Sequence, residues 1–210
     1  MHNDSLLREL TRYFQDFDRY NATLYFLTLT YIDSSKKLLS MESALYRFNN
    51  FHQCLLRYLC GTDNIGRAWF RKIEPAVFAF IDEPASKLKP NKPHPPSASS
   101  TGYHHHCIIA VHPQHRKKMD SIVQLDRIIL KHPHFKDCTG IKSVNLQRLE
   151  QTIAGLQKVL DYCTAHVRRN GELFQDMICY PKAKSEFHKW KNIDHWLKGD
   201  IEFNRKTSSD

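Results

Sequence analysis

Gly102-Tyr103-His104-His105-His106-Cys107-Ile108-Ile109-Ala110-Val111 is an apolar run of strand character with two imidazoles, His104 and His106, at i and i+2 near its start. Successive side chains of a strand alternate between faces, so His104 and His106 project from one face and His105 from the other. A stiff pair of neutral imidazoles can grip one metal ion. His105, on the far face, reads as structural.

Working outward, Leu24 to Ile32 is rich in aromatic and β-branched residues and predicts a largely buried strand, with Thr28 and Thr30 sharing one face. Ala76 to Glu83 predicts a second strand, and the histidine run a third. Helical spacing marks Leu6, Leu7, Leu10, Tyr13, Phe14 and Phe17, and again Leu45, Phe48, Phe51, Leu55, Leu56 and Leu59 between Met41 and Cys60, where Gly61 can end the helix. A helix over 114–130, a fourth strand over 141–149 and a helix over 150–169 follow. Strand, helix, strand, strand, helix, strand is a ferredoxin-like βαββαβ core, an α+β fold. In that plan an antiparallel sheet carries its helices on one face and leaves the other free for a ligand. The expected organisation is an N-terminal helix over 1–22 packed on the core, a core domain over 23–170 and a basic, aromatic extension over 171–210. The proline- and serine-rich stretch 84–102 reads as a mobile loop within the core domain, and Trp190 and Trp196 fall in an expected last helix. No internal repeat is visible.

Charge narrows the partners. Lys and Arg number 31 against 22 Asp and Glu, a net +9 that draws polyanions, nucleic acid first among them. The longest apolar runs fall well short of a spanning helix, so no membrane partner is expected. The first residues lack the basic and then apolar order of a secretory signal, and the six cysteines form no Cys-x-x-Cys pair. A reducing cytoplasm with free thiols is the expectation.

Two imidazoles hold a divalent ion weakly, and a third ligand is expected from the neighbouring strand. Glu83 closes the second strand where the loop begins and His104 opens the third where the loop ends, so the two should face each other across a hairpin. Asp82 would then point the other way. A loop of this length does not fix the register, and Asp82 stays as the alternative. Two imidazoles and a carboxylate suit Mg²⁺ or Mn²⁺ assisting chemistry on phosphate. His112, His115, His132 and His134 read as ordinary surface histidines.

The helix from Glu150 has an apolar stripe of Ile153, Leu156, Leu160, Cys163 and Val167. Tyr162 lies roughly 130° from the middle of that stripe at about 100° per residue, outside the core-facing arc. Lys158 and His166 flank it one turn away, and both favour a phenolate able to attack phosphorus. Tyr180, before Pro181, is a weaker candidate because proline discourages a continuing helix.

Together these motifs resemble the HUH endonuclease superfamily, specifically rolling-circle replication initiators of filamentous phages and their prophage remnants. Three motifs carry the resemblance: Phe26-Leu27-Thr28-Leu29-Thr30, His104-His105-His106 and the helix of Tyr162, spanning about residues 23 to 170. The resemblance implies that His104, His106 and Glu83 hold one Mg²⁺ or Mn²⁺. It implies that Tyr162 attacks a phosphodiester in single-stranded DNA, leaving a 5′-phosphotyrosine and a free 3′-hydroxyl at a replication origin. Thr28, Thr30, Arg116, Lys117, Lys118, Arg168 and Arg169 are the expected DNA contacts. With no room for a helicase domain, a host helicase is the expected partner. The chain departs from the family at His105, where a bulky apolar residue is usual, and at Ala165, where the family often has lysine. His166 or Lys158 would substitute for that lysine. Those departures motivate an alternative: a catalytically weak or inactive single-stranded nucleic-acid-binding protein on the same fold. A transposase or plasmid relaxase would keep the chemistry and change the biology. The origin sequence and the oligomeric state are not legible.

Overall fold

In the computed structural model, the central strand β1 (Thr23–Tyr31) is buried along nearly its whole length. The structure describes residues 8, 10–15, 17, 21–32, 40–61, 73–82, 103–170 and 177–180. After β1 come helix α1 (Met41–Cys60), strands β2 (Ala76–Asp82) and β3 (His104–Val111), helix α2 (Arg116–Leu125), strand β4 (Ile141–Arg148), helix α3 (Ile153–Asn170) and strand β5 (Met177–Tyr180). The sheet runs β4-β1-β3-β2-β5, and every neighbouring pair is antiparallel. The protein is thus α+β, with the four-strand order of a ferredoxin-like core and a fifth strand added beside β2.

Local chemistry explains the boundaries. Ser40 caps α1 by accepting from the Ser43 backbone N–H, and Gly61, at φ 80°, ends it by donating to the Arg57 carbonyl. The segment expected as one helix over 114–130 is α2 alone; the chain then tightens into 3₁₀ turns over Asp126–Lys131 and Pro133–Phe135. The paired Ile128 and Ile129 and the approaching Pro133 weaken a regular α-helix there.

One sheet face presents Tyr25, Leu27, Leu29, Val77, Ala79, Ile81, Ile109 and Val144 to the buried side of α1 and to Met119 and Ile122 of α2. The opposite face was expected to be free of helices, and it is not. Leu24, Phe26, Phe78 and Ile108 are buried there beneath Leu10, Tyr13, Phe14 and Phe17 of the N-terminal helical residues and Leu156, Leu160 and Cys163 of α3. Tyr13 and Phe14 meet Phe78 edge to face at 5.3 and 4.9 Å. Apolar residues at both faces of β1, β2 and β3 demand cover on both sides. Cover on the second face reaches His106, which is buried, and thins at Thr28, Thr30 and His104, which are partly exposed.

Two smaller expectations also change. His112 and His115 are buried, at the junction of β3 and α2, while His132 and His134 do lie near the surface. β5 was not foreseen; its Tyr180 packs against His52 and Phe48 of α1 and donates its hydroxyl to Asn49 Oδ1, which is core packing rather than a nucleophile's setting. Residues 84–102 and the expected helix of Trp190 and Trp196 lie outside the described residues. All six cysteines are free thiols, as expected. Among the described residues no helix is long and apolar enough to cross a membrane.

Candidate active site

Register assembles the site. Thr28 stands opposite His106 and Thr30 opposite His104 across the β1–β3 ladder. Residues opposite each other share a face, so the two hydroxyls and two imidazoles form one polar patch. The rings of His104 and His106 lie 4.7 Å apart, centroid to centroid, nearly perpendicular. His106 is buried, and its Nδ1 lies 3.2 Å from Thr28 Oγ1. That contact fixes the orientation of the imidazole ring. Phe26, one residue pair deeper on the same face, stacks on His106 at 5.9 Å and 13°.

Tyr162 completes the cluster from α3. Its ring sits 4.6 Å from that of His106 and 6.1 Å from that of Phe26, edge to face in both cases. The side chain is 56% exposed, although its helix is fastened to the sheet by Leu156, Leu160 and Cys163. A phenol thus stands at the open margin of the imidazole patch, 56 residues on from His106. Lys158 is exposed one turn earlier on the same side of α3. The side chains of His166, Arg168 and Arg169 lie outside the described residues.

His105 points into the core, as alternation demands. It is fully buried, stacks on Phe48 at 4.7 Å and 13°, and meets the Tyr31 hydroxyl at 2.6 Å through Nδ1. Burial, and then the neighbouring His104 and His106, lower its pKa to about 3, so the ring is neutral and its hydrogen bond to Tyr31 joins two uncharged groups. Burial likewise pushes the Tyr31 hydroxyl far up.

The hairpin register differs from the expectation. Asp82, not Glu83, is the strand partner of His104, and Phe80 is the partner of His106. The hairpin closes one residue earlier than the spacing suggested, which puts Asp82 at the position facing His104; Glu83 lies outside the described residues. Among the described residues, no group of three or more His, Cys, Asp or Glu side chains gathers in metal-binding geometry. Two imidazoles on one face, with an aspartate in register across the ladder, fit Mg²⁺ or Mn²⁺ by donor type.

The basic cluster Arg116-Lys117-Lys118 is not brought to this site. It begins α2, beyond the far end of β3, roughly 23 Å from His104 at about 3.3 Å per strand residue. Arg116 donates to the Asn21 carbonyl at 2.9 Å, and Lys118 to the last carbonyls of α1, 2.7 Å from Leu59 O. Both serve chain packing, as a cation at a helix C-terminus does. Sequence reasoning missed a different strip: Ser143 and Asn145 of β4 stand opposite Thr30 and Thr28 and are exposed. Thr30 Oγ1 and Ser143 Oγ are 2.5 Å apart. The alternation of Ile141-Lys142-Ser143-Val144-Asn145-Leu146 marks these as outward residues, but only the strand order puts them beside the histidines.

No protein-family model matches the chain, and neither a curated protein nor a solved structure does.

Proposed function

We propose that this protein nicks and rejoins single-stranded DNA through a covalent phosphotyrosine, the chemistry that starts rolling-circle replication of a phage or mobile element. The observation that carries the reading is the convergence of Tyr162 with His106, ring on ring at 4.6 Å, from elements distant in sequence. In the reaction the Tyr162 oxygen loses its proton and bonds to the scissile phosphorus while the bond from phosphorus to the 3′-oxygen breaks. The departing oxygen takes up a proton to become a 3′-hydroxyl. His104 and His106, with Asp82 or Glu83, would hold Mg²⁺ or Mn²⁺, which when bound draws charge from the phosphate. Thr28 fixes the His106 ring. The exposed hydroxyls and amide of Thr30, Ser143 and Asn145 offer donors along a strand laid over the open end of the sheet. Lys158 supplies a cation beside the phenol. Because one phosphodiester replaces another, attack by a 3′-hydroxyl on the phosphotyrosine reverses the step and joins strands.

The test is a labelled single-stranded oligonucleotide, carrying candidate origin sequences, incubated with the protein and Mn²⁺. Wild type forms a covalent adduct stable to denaturation; Tyr162→Phe forms none and still binds. Salt-sensitive binding by wild type without any adduct would select the inactive binding protein instead. An adduct that persists in Tyr162→Phe would refute Tyr162 as the nucleophile.

A further inference from the structure

At the same end of the sheet, around the edge from the histidines, lies an open groove of about 660 Å³ lined by Ile32, Glu42, Ser43, Tyr46, Arg47, Thr139 and Gly140. That volume is in the range of small-ligand sites. The geometry points to this groove as a nucleobase pocket that takes an unpaired guanine from the DNA strand flanking the nick. The inference rests on the single-strand reading above and adds a specificity site to it.

Four observations converge. The first is an aromatic platform: Tyr46 is 65% exposed and Ile32 44%, two of five exposed large hydrophobic side chains among the described residues, and both line this one groove. An exposed tyrosine at a polar groove offers the flat apolar face on which unpaired bases stack. The second is a rigid floor. Arg47 Nη1 donates to Ile32 O at 2.6 Å and to Gly140 O at 3.0 Å, while Ile32 N donates to Gly140 O at 2.8 Å, so the end of β1, the turn before β4 and α1 are pinned together. Gly140 has φ +78°, and a Cβ there would fall 2.5 Å from Arg47 Nε, so the close approach requires glycine.

The third observation is charge. In a chain of net +9, the groove carries the carboxylate of Glu42, one helical turn before Tyr46 on the same face of α1. Arg47 also lines the groove, but its Nη1 is committed to the Ile32 and Gly140 carbonyls, which leaves Glu42 as the groove's carboxylate acceptor for a base edge. A carboxylate only accepts hydrogen bonds, and the Watson–Crick edge of guanine offers it two adjacent donors, N1–H and the 2-amino group. The fourth is position. Thr30 and Ser143, bonded to each other on the histidine face, lie two and three residues from Ile32 and Gly140 along the same two strands. A strand crossing Thr30 and Ser143 therefore reaches the groove by turning the end of the β1–β4 ladder.

The experiment measures anisotropy of short labelled homopolymeric oligodeoxynucleotides with wild type, Tyr46→Ala, Glu42→Gln and Ile128→Ala, with an inosine oligonucleotide in place of the guanosine one as the critical comparison. Wild type binds the guanosine strand about tenfold more tightly than the inosine strand, which lacks the 2-amino donor. Glu42→Gln removes that discrimination, and Tyr46→Ala weakens guanosine binding roughly tenfold while Ile128→Ala, an exposed apolar residue outside both sites, leaves it unchanged. Equal affinity for guanosine and inosine strands, an unaffected Tyr46→Ala, or no single-strand binding by wild type overturns the pocket. Absence of a covalent adduct while the guanosine preference holds would sink the nickase reading and leave the pocket standing.

Discussion

Replacing His105 by leucine separates the structural middle of the histidine run from its functional flanks. Leucine refills the buried space against Phe48 and leaves only one defect, the buried Tyr31 hydroxyl that had been hydrogen-bonded to His105 Nδ1 at 2.6 Å. An orphaned buried donor costs about 1–3 kcal/mol, so His105→Leu should destabilise by about 2 kcal/mol. In a chain of this size that lowers the midpoint of thermal unfolding by roughly 4–8 °C. Adding Tyr31→Phe removes the orphan. His105 Nε2 is itself buried with no hydrogen-bond partner among the described residues, so the double variant also sheds that unsatisfied group and should regain wild-type stability. Tyr31→Phe alone strands His105 Nδ1 and should cost about 1–2 kcal/mol, which gives the pair a strong coupling in a double-mutant cycle. Urea denaturation of the four proteins supplies the free energies. Additive losses, with the double variant worse than either single one, would refute the assignment of His105 to the core. So would a stable His105→Leu protein that has lost Mn²⁺-dependent adduct formation while the double variant regains stability and not activity.

Acid should unfold the protein well before its carboxylates are titrated. Burial lowers the pKa of His52 from 6.5 to about 4, and burial with nearby His112 and Lys118 does the same for His115. Both rings stay neutral in the fold while their unfolded counterparts take up protons near pH 6.5. Stability is therefore intact above that pH and falls as pH drops toward 4, by about 3 kcal/mol for each ring at about 1.4 kcal/mol per pH unit. Chemical denaturation from pH 7.5 to 4.5 reads this loss, and a flat profile for wild type, or one unchanged in His52→Phe, would contradict it. Gly140→Ala should cost about 1–2 kcal/mol through its positive φ, and more if Arg47 cannot yield; an unchanged denaturation midpoint would show the turn to be relaxed.

Much of the fold was legible because apolar runs and helical stripes are long. Met41–Cys60 carries both of its own end signals, Ser40 and Gly61, and the order of strands follows from the elements between them. β5 escaped notice because Met177–Tyr180 is only four residues long and precedes a proline, which an edge position tolerates and a central one does not. The placement of α3 was the larger miss. Leu156, Leu160 and Cys163 say that one side of the helix is buried, but not against which face of the sheet. That face was written in the strands: Leu24–Leu27 and Ala76–Ile81 are apolar without alternation, which only cover on both sides explains. The expected pairing of Glu83 with His104 was off by one residue for a simpler reason, since nothing local fixes the closure of a long loop.

The same alternation decides where the site can be. Along the face that α3 covers, β1 reads Leu24, Phe26, Thr28, Thr30, and β3, running the other way, reads Ala110, Ile108, His106, His104. Both change from apolar to polar at the same level, between the pairs Phe26–Ile108 and Thr28–His106. β4 supplies exposed Asn145 and Ser143 at that level and beyond it. A helix packed by apolar contact is held up to this line and gains nothing beyond it. Tyr162 sits at the line, with its ring against both Phe26 on the apolar side and His106 on the polar side. The contacts that fasten α3 to the core therefore also set the reach of its tyrosine, and substitutions at Leu160 or Cys163 would move the phenol as surely as they would loosen the helix. In the proposed reaction, a tyrosine delivered by a core-packed helix to the edge of a polar patch would be prepositioned without any dedicated loop and would keep the exposure that a DNA strand requires.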